Sequence, residues 1–311
     1  MNYGLILALS PNLAGALFMC ISMAGFTVND AIVKYISAEM NMAQVMLVRG
    51  AFGTLLIGVL AWRQATLHAL PHIFHPMVLL RASGELGATI FFLVALAHLP
   101  IANVSAVLQA LPLAVTMGAA LVLSEPVGWR RWLAIVVGFI GVMVVVKPGL
   151  DGFSVYSVAA LGSVVCAMIR DLATRSLPQK VPTLLVSMMT SLMVTVAGAV
   201  LVAPMGGWTP MTAGSTGALA AAACLLLVGY QFIIHAMRTG QISFIAPFRY
   251  TSLLWAILLG FLVFGDVPDL AMITGASIIV ASGLYMLYRE RVVGKRTAAA
   301  GTSPAMVPDG L

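Results

Sequence analysis

Residues 181–237 read VPTLLVSMMTSLMVTVAGAVLVAPMGGWTPMTAGSTGALAAAACLLLVGYQFIIHAM, and no Asp, Glu, Lys or Arg interrupts them. A soluble protein cannot turn that much uncharged surface toward water. Similar apolar runs recur along most of the chain, which is 61% hydrophobic and 8% charged, with a mean hydropathy of +1.05. Lipid is therefore the solvent, and function is to be sought in how a few polar groups are placed inside a bilayer.

The 311 residues accommodate ten helical spans, at about 20 residues per crossing. The apolar runs place them at 13–36, 44–62, 76–98, 102–123, 131–147, 154–175, 182–203, 213–237, 242–264 and 270–288. A transmembrane barrel would instead show alternating segments of about ten residues, and these runs do not alternate. The expected fold class is an all-α membrane protein.

The formal net charge of +6 is a topology signal, and no nucleic-acid partner is expected. With the N-terminus inside, Arg63, Arg130, Arg131, Arg175, Lys180, Arg238, Arg289, Arg291, Lys295 and Arg296 all fall on the cytoplasmic side. Lys34 and Lys147 fall near the outer side, where the loop between spans 9 and 10 carries Asp266 and Asp269. This positive-inside asymmetry places both termini in the cytoplasm. Cys20, Cys166 and Cys224 each fall within a span, without pairing or metal spacing, and read as buried thiols. The N-terminus lacks the charged region of a cleaved signal, and the tail at 292–311, rich in Ala, Gly, Thr, Ser and Pro, reads as disordered.

Shifting the chain by 141 residues brings Asp30 onto Asp171, Lys34 onto Arg175 and Glu125 onto Asp266. Ala95, Ile101 and Val122 meet identical residues at Ala236, Ile242 and Val263. The repeat divides the chain into 1–150 and 151–291. Five spans per half is an odd number, so the second half enters the membrane upside down. Two like halves related by an axis in the membrane plane form the architecture of alternating-access carriers.

The chain resembles the EamA family of the drug/metabolite transporter superfamily. The residues that carry the resemblance are Asn29-Asp30-Ala31-Ile32-Val33-Lys34, Arg49, Leu80-Arg81, Ser124-Glu125-Pro126 and Val137-Gly138-Phe139-Ile140-Gly141-Val142. It extends over 13–288 and implies a secondary transporter of small metabolites, often an exporter of amino acids as in YddG-like members. Thr190 stands where Arg49 has its repeat mate and Ala222 where Arg81 does, so the halves are not chemically equivalent. One fold hosts many cargoes, and the resemblance leaves the substrate open.

Span 3 aligns Arg81, Glu85, Ala88 and Phe92 on one helix face. Glu85 lies close to the midplane; burial disfavours its charge and Arg81 favours it, a balance suited to proton coupling or to holding an ammonium group. The bland alternative is a structural Arg–Glu pair with Arg81 snorkelling to the surface. Pro112, in mid-span 4, deprives the Leu108 carbonyl of its helical bond, giving a kink or a presented backbone, with Gln109 one turn before it. Span 8 adds Tyr230, Gln231 and an interfacial His235, and span 9 adds Arg249, Tyr250 and Trp255. Arg249 has the geometry to hold a substrate carboxylate by a forked hydrogen-bonded pair, or to snorkel.

Asp30 with Lys34 and Asp171 with Arg175 are spaced for bridging within their own helices. Being at opposite membrane ends of equivalent helices, they are candidate gates. His68, His72 and His75 imitate metal spacing, but no Cys or carboxylate accompanies them and Pro71 and Pro76 interrupt, so no metal and no cofactor is expected. The reading is an exporter of a small metabolite, foremost an amino acid, driven by a gradient or by simple downhill flux because no GxxxxGK[ST] loop occurs. A multi-pass position in a bacterial inner membrane goes with it. Phe92, Tyr230, Tyr250 and Trp255 would form the apolar wall, with Arg81 or Arg249 and Glu85 as charged partners. The rivals are an importer or exchanger of a larger nucleotide-derived or vitamin-like cargo, an intramembrane enzyme, and a channel. No Gly-x-x-x-Gly pair occurs, which favours a monomer surrounded by the lipid bilayer.

Overall fold

The structure, a computed structural model, describes residues 10–63, 74–125, 127–147, 154–178, 181–239 and 242–293. Ten helices among the described residues are long and apolar enough to cross a membrane. They are α1 (Pro11–Ile36), α2 (Met42–Arg63), α3 (Pro76–His98), α4 (Ile101–Val122), α5 (Trp129–Val146), α6 (Val155–Arg175), α7 (Thr183–Val202), α8 (Ala213–Thr239), α9 (Ala246–Phe264) and α10 (Leu270–Val293). Local chemistry sets their ends. Ser10 accepts from the Leu13 N–H with Pro11 opening α1, and Ser154 caps α6 by accepting from Tyr156. Leu55, Leu121, Val136, Ile140, Val200 and Leu262 are exposed, as side chains facing acyl chains must be. The boundary between the halves near residue 150 and the tail from residue 294 lie outside the described residues.

The helices pair as two inverted repeats demand. The main packing partners are α1 with α8, α3 with α6, α2 with α7 and α5 with α10. Exchanging the halves swaps the first two pairs and returns each of the last two to itself. The symmetry reaches individual bonds. Ser22 Oγ donates to the Gly229 carbonyl (2.6 Å), and Ser163 Oγ donates to the Ala88 carbonyl (3.1 Å). Each is the other's image under the 141-residue shift. Thr54 and its mate Thr195 share a hydroxyl–hydroxyl bond of 3.2 Å, which places the two-fold relation between α2 and α7.

Symmetry also governs how α4 and α9 end. Ser124 (φ 53°) and its mate Gly265 (φ 68°) both take the left-handed conformation. The following N–H then reaches six residues back, Glu125 to Ala119 O (3.2 Å) and Asp266 to Gly260 O (2.9 Å). Glu125 and Asp266 are thereby carried on equivalent caps.

Both helices depart from α geometry at equivalent places. In α4 the helix breaks at Gln109–Ala110, between Ile101–Leu108 and Leu111–Val122. Pro112 causes this, since its ring and missing N–H disrupt the turn before it. The outcome is a break rather than a simple kink. In α9, Ala246–Tyr250 is wound as a 3₁₀ helix, and these residues are the repeat mates of Ser105–Gln109.

The expected in-helix bridge between Asp30 and Lys34 is not the arrangement found. Lys34 donates to the Leu99 carbonyl, sits 3.9 Å from Asp266 Oδ2 and lies over the Phe264 ring at 5.1 Å. It ties α1 to the ends of α3 and α9. Nearby Lys147 pairs with Asp269, and this bond, with the Met272 N–H, holds the Asp269 carboxyl below the usual range. Asp171 pairs with its neighbour Arg170 (2.7 Å). The side chain of Arg175 lies outside the described residues, as do His68 and His72. Cys20 and Cys166 are half-buried, whereas Cys224 is exposed on the helix surface rather than buried.

Candidate functional site

The close approach of α3 to α6 builds the centre of the site. Gly84 lies against the α6 backbone so tightly that an added Cβ would come within 2.9 Å of Arg170 N and 3.0 Å of Cys166 O. That contact sets the next residue, Glu85, beside Arg170, with Glu85 Oε2 accepting from Arg170 Nη1 at 3.0 Å. Arg170 Nε donates to Asp171 Oδ1, and Asp171 is almost wholly buried. One guanidinium thus holds two carboxylates inside the bundle, as a membrane interior requires of charged groups.

Around this pair lies a cavity of about 270 Å³, walled by α1, α2, α3, α4, α6, α8, α9 and α10. The first half contributes Asp30, Arg49, Glu85, Phe92 and Gln109 to its walls; the second contributes Arg170, Tyr230, Arg249 and Tyr250. Asp30 accepts from Asn29 Nδ2 (2.9 Å), and Asn29 Oδ1 accepts from Arg49 (3.3 Å). The break in α4 turns Gln109 inward, where its amide donates to Ser252 Oγ. Two buried donors on these walls, Arg170 Nη2 and the Tyr250 hydroxyl, have no hydrogen-bond partner among the described residues. A buried donor left in that condition is costly, and the Tyr250 hydroxyl is packed against Gly283 of α10.

The sequence-derived candidates divide as follows. Glu85, Phe92, Gln109, Tyr230, Arg249 and Tyr250 line the cavity together. Asp30 lines it as well, rather than standing at an end of the bundle. Arg81 does not pair with Glu85 and does not snorkel. It is buried, donating to Thr174 Oγ1 (3.1 Å) and Thr190 Oγ1 (2.7 Å), and it lines a second chamber of about 130 Å³ alongside. Trp255 is not on the cavity wall: one turn beyond Ser252, it packs against the buried cluster formed by Met19, Met23, Ile233, Ala236 and Ile245.

Sequence reasoning did not single out Arg170 for the site, and used Arg49 solely as a family motif. The missed signal for Arg170 was its repeat position. Its mate is Asn29 and the mate of Glu85 is Leu226, so the ion pair on one side of the two-fold becomes an amide and a leucine on the other. The frame is symmetric and the chemistry is not.

Inverted halves enclosing a polar cavity within an otherwise apolar bundle define a secondary carrier that moves small metabolites across a membrane. The chain belongs to the EamA-like transporter family. That family's model matches residues 13–147. The chain is 31% identical over 276 residues to the pseudopaline exporter CntI of Pseudomonas aeruginosa (strain UCBPP-PA14), covering 86% of this chain and 94% of the relative. It is 27% identical to a riboflavin transporter of Vibrio cholerae and 24% identical to an S-adenosylmethionine uptake transporter of Rickettsia prowazekii, each match covering 91% of this chain and 96% of the relative. A crystal structure of a protein superposes with a TM-score of 0.60 at 19% identity, covering 90% of this chain and 98% of the other, and so shares the fold. The protein is an integral, multi-pass transporter of the bacterial inner membrane and not an enzyme.

Proposed function

We propose that the cargo is an amino acid or a close derivative, exported by a monomer with both termini in the cytoplasm. The observation that carries this reading is the division of charge across the cavity. Both carboxylates of the cavity wall, Asp30 and Glu85, stand on the first half together with Arg49, while Arg170, Arg249 and Tyr250 stand on the second. A zwitterion fits across that arrangement, its ammonium toward Asp30 and Glu85 and its carboxylate toward the guanidiniums of Arg170 and Arg249. Phe26, Phe92 and Tyr230 supply the apolar wall for a side chain. The cavity volume suits a cargo of amino-acid size.

Alternating access follows from the repeat. With the N-terminus inside, the Lys34–Asp266 contact lies at the outer end and closes it. Its image under the half-exchange is Arg175 with Glu125, the mates of Lys34 and Asp266. We assign these as reciprocal latches, one engaged while the other is released. Lys34 and Arg175 keep a gating role in this scheme; Asp30 and Asp171 act in and beside the cavity instead.

The test is a counterflow panel in proteoliposomes, each preloaded with one amino acid, S-adenosylmethionine or riboflavin, and followed for entry of a labelled trace of the same compound. Saturable counterflow of an amino acid, reduced at least about tenfold by Glu85→Gln, is the expected result. The names of the Vibrio and Rickettsia relatives favour a second reading, uptake of a vitamin-like or nucleotide-derived cargo. Counterflow of riboflavin or S-adenosylmethionine alone would establish it and overturn the first.

A further inference from the structure

The second chamber, about 130 Å³, lies between α2, α3, α7 and α8 and adjoins the central cavity, sharing Arg49, Glu85 and Tyr230 with it. Its walls carry two guanidiniums, Arg49 and Arg81, and the hydroxyl side chains Ser187, Thr190 and Ser191. Its one carboxylate, Glu85, is engaged by Arg170. Neither Arg49 nor Arg81 makes an ion pair with any described residue. Arg81 is 7% exposed, and it donates to two neutral hydroxyls, Thr174 and Thr190, which orient the guanidinium. Glu85 is thus shared among three guanidiniums, Arg49, Arg81 and Arg170, and buried cations that outnumber the carboxylate they share form an anion-binding group. The repeat makes the same point. The mates of Arg49 and Arg81 are Thr190 and Ala222, so the positive charge here is specific to one side of the two-fold and is not required by the frame.

We propose that this chamber is an anion subsite, holding a carboxylate or phosphate arm of a cargo whose amino-acid head occupies the central cavity. The inference rests on the zwitterion reading of that cavity for the head group alone. The cargo class it names is an acidic amino-acid derivative, with at least one anionic group beyond the α-carboxylate.

The test uses thermal unfolding of the full-length protein in maltoside micelles, with glutarate, L-glutamate and L-glutamine as probes at matched ionic strength. Wild type is expected to be stabilised by glutarate and by L-glutamate, the latter at about tenfold lower concentration than L-glutamine. In Arg81→Gln the glutarate effect should weaken about tenfold and the glutamate and glutamine curves should converge. Ser187→Glu, which tethers a carboxylate in the chamber, should abolish glutarate protection without removing a charge from the fold. Glutarate protection absent in wild type, or unchanged in both variants, overturns the subsite. Protection that added phosphatidylglycerol displaces assigns the chamber to a lipid headgroup and overturns the cargo arm. Glutarate has no ammonium group, so its binding tests the chamber even if no amino acid exchanges in the counterflow panel.

Discussion

Glu85 and Arg170 face each other at 3.0 Å, with Arg170 buried, and Arg170 holds Asp171 with its second edge. Breaking such a buried set by neutralising one member strands the others, at a cost of about 3–5 kcal/mol. Glu85→Gln and Arg170→Gln should therefore each lower the unfolding temperature as well as transport, while leaving the membrane insertion of a largely apolar chain intact. A contrasting single-residue case lies at the end of α4. Ser124 occupies the left-handed region at φ 53°, where its mate is Gly265. Ser124→Gly should relieve about 0.5–1 kcal/mol of backbone strain and raise thermal stability. A fall in stability would mean that the serine side chain contributes something that the conformation does not reveal. Glu85 was legible in the sequence because an isolated carboxylate at mid-span has so few harmless explanations. Arg170 was not, because its mate is uncharged and a comparison confined to matching charges passes over it.

Between helices, the approach of α3 to α6 at Gly84 and of α1 to α8 at Gly25 is one contact drawn twice. Gly25 faces the Leu225 carbonyl, as Gly84 faces the Cys166 carbonyl. The two differ in clearance. An added Cβ would lie 3.5 Å from its nearest neighbour at Gly25 but 2.9 Å from backbone at Gly84. Gly25→Ala should be tolerated, with the better helix propensity of alanine offsetting any crowding. Gly84→Ala should cost about 1–3 kcal/mol and push Arg170 away from Glu85, lowering transport more than stability. Equal effects of the two substitutions, measured by unfolding in micelles and by counterflow, would contradict the role given to Gly84. Helix number and approximate ends were legible, since length and apolarity alone decide a span. Pro112 announced a disturbance in α4. The break falls at Gln109–Ala110 because a proline disrupts the turn preceding it, and its effect of turning Gln109 toward Ser252 depends on a helix 143 residues away. Lys34 was misread as bridging within its own helix for a similar reason: i,i+4 spacing shows what is within reach, whereas the backbone carbonyl of Leu99 and the cap holding Asp266 are assembled from distant parts of the chain.

In the whole molecule, two halves with equivalent packing and unlike chemistry divide the work of a carrier. The repeated contacts, Ser22 with Gly229 and Ser163 with Ala88, tie α1 to α8 and α3 to α6. The asymmetric charges then give the shared cavity a direction in which a polar cargo can lie. The repeat itself was readable from Asp30, Lys34 and Glu125 with their mates. Which charges would meet across the halves was not, because the offset relates positions without saying which of them touch.

The reciprocal latches are the most direct point at which to test alternating access. In a background with Cys20, Cys166 and Cys224 replaced, Lys34→Cys with Asp266→Cys and, separately, Arg175→Cys with Glu125→Cys would be joined by a short reducible cross-linker, and counterflow measured before and after reduction. The account predicts that either link stops exchange and that reduction restores it, and that with all four cysteines present one molecule accepts one link and not both. Full exchange through a cross-linked protein, or both links formed together in one molecule, would contradict it.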